Sequence, residues 1–172
     1  MSKAREIAFG ALMAAIMFVG QIALSFLPNI EVVSILIIIS SIVFGRLALM
    51  SIYAFVLLEG LCYGFGIWWF NYCYVWLILY VIARIFRRCE NRLVWAVISG
   101  AYGLSYGFLC AIPYGIAGGP YAALSYWVSG IPFDLLHCAG NFAIALVLFK
   151  PLCRVCRRIR RIFLEQKRRS DR

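Results

Sequence analysis

The stretch YCYVWLILYVIARIFRRCENRLVWAVISGAYGLSYGFLCAIPYGI, residues 72–116, holds two apolar runs separated by a turn in which Arg84, Arg87, Arg88 and Arg92 are concentrated. An apolar run of about 20 residues is long enough to cross a bilayer as a helix. The pattern reads as two antiparallel helices, 72–87 and 93–116, with a basic turn between them. Working outward adds helices at 6–27, 30–45, 47–66 and 121–149. The expected fold is an all-α integral membrane protein with six transmembrane helices, divided into a membrane domain at 1–152 and a basic tail at 153–172.

The chain has 172 residues, of which 65% are hydrophobic and 14% charged. Soluble domains carry about 25% charged residues, so the composition supports the same class. The net charge of +10 could suggest nucleic acid, but its placement points elsewhere. With six helices, all 17 Lys and Arg fall on one side: Lys3 and Arg5, Arg46, the four arginines of the 84–92 turn, and ten more from Lys150 onward. The positive-inside rule puts that side, and both termini, in the cytoplasm. The tail RVCRRIRRIFLEQKRR suits anionic lipid headgroups. Residues 1–27 have a basic start, but their apolar run exceeds that of a signal peptide, so a retained first helix is expected. Seven scattered cysteines read as small buried hydrophobes and not as a disulfide framework.

Three acids, Glu31, Glu59 and Asp134, fall from mid-membrane outward, where no Lys or Arg is available to pair with them. A carboxylate at mid-bilayer is costly and functional by default. Asp134, His137 and Asn141 recur at i, i+3 and i+7, which places them on one helix face, just after an expected kink at Pro132. This face is expected to look into the bundle, as a hydrogen-bond network or as a site. Glu31 is expected to open helix 2, where an acid favours the helix N-terminus. The outer turns are rich in Gly, Pro and aromatics. Their Trp68, Trp69, Tyr72, Tyr74 and Trp76 suit an interfacial belt or a ligand stack.

No G-x-x-x-x-G-K-[ST] phosphate loop is present. No Ser sits in a nucleophile context with a base, and one His among dispersed acids is no metal set. The reading is a non-enzyme with no cofactor and no metal. Helix 1 carries Ala4, Ala8, Ala11 and Ala15, a stripe that lets another helix approach closely. In helix 5, Gly100, Gly103, Gly107 and Ala111 form a comparable face, expected to pack internally.

Four segments carry a family resemblance: AFGALMAA at 8–15, LPNIE at 27–31, WAVISGAYGLSYGFLCAIPY at 95–114 and SYWVSGIPFDLLHCAGNFAIALVLFKPL at 125–152. Together they resemble the substrate-specific, or S, components of energy-coupling-factor (ECF) vitamin transporters of the prokaryotic plasma membrane. The resemblance implies a protein that captures a vitamin or related micronutrient at its outer face. A transmembrane coupling subunit and two ATPase subunits would then drive release inside. It also implies that Ala11 and Ala15 dock the coupling subunit. LPNIE and SGIPFDLLH look most like the cobalamin branch, with thiamine-like, queuosine-like and pantothenate substrates as alternatives. The expected substrate contacts are Glu31, Glu59, Trp68, Trp69, Asn71, Asp134, His137 and Asn141. Two rivals stand beside this reading: a structural or assembly subunit of a membrane complex, and a stand-alone proton-coupled carrier using Asp134 and His137.

Overall fold

The computed structural model describes residues 3–170, and these form six helices with no strand among them. They are α1 (Lys3–Ala23), α2 (Val33–Phe44), α3 (Leu47–Tyr63), α4 (Ile67–Ile85), α5 (Arg92–Cys110) and α6 (Ile112–Ser170). Four of them, α1, α4, α5 and α6, are long and apolar enough to cross a membrane, while α2 and α3 are shorter apolar helices. Ile7, Leu12, Val19, Leu61, Ile85 and Val147 are exposed on the outside of the bundle. A soluble monomer rarely shows so much apolar surface, whereas lipid would cover it at no cost.

The shortest helix lies in the middle. Nine of the 12 residues of α2 are buried, and it packs against α6, α4, α3 and α1. Two of its three buried serines return their hydroxyls to the same carbonyl, Ile37 O, at 3.1 Å from Ser40 and 2.6 Å from Ser41. Polar side chains can sit at the centre because the helix itself accepts their protons. At its C-terminus Gly45 takes φ 63°, a conformation that side chains disfavour. The Arg84 guanidinium then donates to the Ser41 carbonyl at 3.1 Å.

The pair α5–α6 forms the most extensive interface in the bundle. Glycines on α5 make the close approach possible. A Cβ at Gly103 would lie 2.7 Å from the His137 carbonyl oxygen, and one at Gly100 would lie 3.2 Å from the Phe142 Cβ. The glycine face of this helix packs internally, as its spacing suggested. At the other end of the pair Trp95 stacks on Phe149 with centroids 5.6 Å apart.

Several boundaries differ from the sequence reading. The first turn is longer, because α1 ends at Ala23 and α2 begins only at Val33. Helix α5 ends at Cys110, and the segment from Ile112 is already helical again. The chain reverses at Gly119 (φ 80°, ψ 178°), the one position within α6 whose torsions leave the helical range. Gly119 precedes Pro120, and proline excludes the helical region at the residue before it. Glycine alone takes positive φ there without strain. At Pro132, where a kink is expected, and at Pro151 the backbone keeps helical torsions, so the helix continues through both. The basic tail continues α6 to Ser170, with Cys153 and Cys156 turned into the body and Arg154, Arg157, Arg158, Arg160 and Arg161 exposed.

Candidate functional site

A cavity of about 340 Å³ opens at the end of the bundle where α1 hands over to α2, opposite the Arg46 and Arg84–Arg92 turns. Seven of its lining residues come from the connecting turn: Leu24, Ser25, Leu27, Pro28, Asn29, Ile30 and Glu31. The others are Gln21 of α1, Tyr72 and Trp76 of α4, Tyr106 of α5 and His137 of α6. The turn doubles back through Asn29, the one non-glycine residue with positive φ (56°) among those described, a conformation asparagine tolerates better than most. Gly140 on α6 leaves room for it, since a Cβ there would lie 3.3 Å from Ile30.

Glu31 anchors the turn at both ends. Its Oε2 accepts the Ser34 N–H at 2.8 Å, so the carboxylate caps α2 as expected of an acid at a helix N-terminus. Its Oε1 lies 3.3 Å from His137 Nε2 on α6. Burial is the largest influence on this carboxyl and pushes it up. The contacts with His137 and the hydrogen bonds from Ser34 together outweigh burial and hold it below its ordinary value. The loop, α2 and α6 are thus joined by one side chain.

Aromatic rings form the wall. Tyr72 meets Trp76 edge-on at 5.4 Å, Trp76 lies 5.9 Å from Tyr106, and Tyr106 meets His137 edge-on at 4.9 Å. Gln21 Nε2 donates to the Tyr72 hydroxyl at 3.0 Å. The indole N–H of Trp76 is buried and finds no acceptor among the described residues.

Of the eight residues expected to contact substrate, Glu31 and His137 line this cavity. The other six lie outside its lining. Asp134 is buried against α5, where its Oδ1 accepts the Gly107 N–H at 2.9 Å. Asn141 donates to the Ser34 hydroxyl at 3.3 Å. Asn71 is buried beside the Tyr74 hydroxyl, which stands 2.9 Å from its Oδ1 and 2.7 Å from the Leu109 carbonyl. Trp69 donates its indole proton to the Val56 carbonyl at 2.9 Å, and Trp68 meets Tyr72 edge-on at 5.4 Å. Glu59 is buried at 2% exposure, with Oε1 unpartnered. The stripe of Asp134, His137 and Asn141 does face inward on one side of α6. Its three members bind three different elements and not one another.

Gln21 and Tyr106 are wall residues the sequence did not assign to a site, whereas Tyr72 and Trp76 were read as part of an interfacial belt or a ligand stack, and both line the cavity. The spacing 72, 76 on α4 was the available signal, since it puts both rings on one face. Among the described residues no group of three His, Cys, Asp or Glu could hold a metal.

No protein-family model, curated protein or solved structure matches this chain.

Proposed function

We propose that this chain is the substrate-binding S component of an ECF-type importer, a six-span membrane protein with both termini in the cytoplasm. The observation that carries the reading is the cavity. It lies at the end of an apolar bundle that is free of Lys and Arg, is closed over by the 24–32 turn, and is pinned by the Glu31–His137 contact. A site with convergent polar groups in an aromatic wall is the form a small-molecule site takes. Its placement beneath a short turn suits capture from outside.

Size narrows the substrate. Small-molecule sites run from about 300 to 1,000 Å³, and 340 Å³ is at the small end. It holds about eleven waters' worth of liquid, enough for one or two fused rings. A whole corrinoid would need the 24–32 turn to swing away, so the proposal rests on a smaller micronutrient.

The partner surface is α1. Ala4, Ala8, Ala11 and Ala15 are all exposed, between Ile7, Leu12 and Val19, which are exposed as well. Small residues on an open face let a second membrane helix approach closely, and the coupling subunit supplies that helix in this reading. The ATPase subunits would act through it.

The test is mass spectrometry of small molecules released from the purified chain after growth in medium supplied with a vitamin mixture. A stoichiometric compound that is lost in a Glu31→Gln/His137→Ala variant supports capture. A folded wild-type protein that carries nothing and binds none of the mixture would sink the reading in favour of a structural subunit. Uptake that persists without ATPase partners and stops with an uncoupler would favour the proton-coupled carrier.

A further inference from the structure

We infer that the cavity recognises a flat nitrogen heterocycle presenting an N–H donor and an acceptor along its edge, and not a carboxylate-bearing compound. The inference rests on the capture reading and adds the chemistry of the ligand. It starts from Trp76. This ring borders the cavity and is 2% exposed, yet its indole N–H has no acceptor among the described residues. An indole nitrogen is a donor only, and a buried donor left unpaired is expensive. A ligand acceptor that enters as the indole edge is uncovered would satisfy it.

The remaining polar groups set the opposite requirement. Glu31 accepts from the N–H and the hydroxyl of Ser34 and lies against His137, and an ionised carboxylate has about four lone-pair sites. Glu31 can therefore accept one further N–H donor. Gln21 donates to Tyr72, which leaves the Gln21 side-chain oxygen as an acceptor and the Tyr72 proton as a donor. No Lys or Arg lines the cavity. If the imidazole of His137 is charged, Glu31 already neutralises it. A desolvated carboxylate or phosphate would meet no countercharge here, whereas a neutral or cationic ring would meet acceptors on one side and donors on the other. The Tyr72, Trp76 and Tyr106 rings supply the flat apolar contact such a ring needs.

The experiment uses the purified full-length chain in lipid nanodiscs, read by thermal stability and intrinsic tryptophan fluorescence. Two probe sets are compared: cytosine, adenine and thiamine as donor–acceptor rings, and biotin, pantothenate and nicotinate as carboxylates. The expected result is saturable binding of at least one ring from the first set and of none from the second. Glu31→Gln and Trp76→Phe should each weaken that binding about tenfold or more. Without ligand, Trp76→Phe should be at least as stable as wild type, because it removes the unpaired donor and keeps an aromatic ring. This separates recognition from a structural role.

Tight binding of a carboxylate probe would overturn the ligand class while leaving capture intact. Ring binding that Trp76→Phe leaves unchanged would overturn the assignment of the indole. Failure of both sets with folded protein would also overturn the ligand class. Capture itself would then be decided separately, by whether a small molecule co-purifies.

Discussion

Gly107 and Asp134 meet with no side chain between them. The Gly107 N–H donates to Asp134 Oδ1 at 2.9 Å, and a Cβ at position 107 would overlap the carboxylate. This contact and the Gly103–His137 approach fix how α5 lies along α6. They therefore fix where His137 stands relative to Glu31.

Gly107→Ala should destabilise the protein by about 1–3 kcal/mol, the usual cost of forcing atoms into a packed interior. In an open helix the same change stabilises by about 1 kcal/mol. Gly130, on α6, supplies that control, because a Cβ there would meet nothing within 4 Å. Thermal unfolding in detergent should give opposite signs for Gly107→Ala and Gly130→Ala. Equal effects would mean that the 107–134 approach is not tight.

Asp134 itself is predicted to act as an acceptor and not as a charge. Its Oδ2 is buried without a partner, so only Oδ1 is used. Asp134→Asn keeps that acceptor and should leave stability within about 1 kcal/mol of wild type. Asp134→Ala removes that acceptor, leaves a gap against α5 and should cost about 1–3 kcal/mol. If Asn were as damaging as Ala, the negative charge would be what matters, and a proton-relay role would regain weight.

Trp69 separates stability from binding. Its indole donates to Val56 O across α3–α4, and it lies outside the cavity lining. Trp69→Phe should lower stability by about 1 kcal/mol through the lost hydrogen bond and leave affinity for any bound micronutrient within twofold of wild type. A large loss of affinity at unchanged stability would place Trp69 in the site after all.

The helices were legible in the sequence because long apolar runs and clustered arginines are one-dimensional signals. The 72–116 stretch holds most of α4, the basic turn and all of α5. What escaped depends on which neighbour a residue meets. The Gly119 reversal lies between two apolar segments of similar composition, so hydropathy does not mark it, whereas the Gly119-Pro120 pair does. The amphipathic pattern of Cys153, Cys156 and Ile159 against the exposed arginines was present in the basic tail, but charge density masked it. In the site, Glu31 and His137 stood out as ionisable groups without cationic partners. Tyr72 and Trp76 stood out as a belt or a ligand stack with no choice between the two, and Tyr106 did not stand out, because an aromatic on a membrane helix faces lipid as readily as a cavity. Only the packing of α2 between α4 and α6 decides which.

The docking of the 24–32 turn should depend on pH through Glu31. This carboxyl lies below its ordinary value near 4.5, so the folded protein favours its ionised form. A depressed carboxyl contributes stability that is fully present above the unfolded value and is lost as pH falls through the folded one. The wild-type stability advantage over Glu31→Gln should therefore hold from neutral pH down to about pH 5 and shrink progressively below it. Protonation removes the negative charge that holds both the Ser34 N–H and His137, so the turn loosens from α2 and α6 together. Thermal unfolding of both proteins across this range measures the difference directly. An advantage already gone at pH 6 would mean that another group governs the turn, and one unchanged down to pH 3 would mean that the advantage does not come from the ionised form of Glu31.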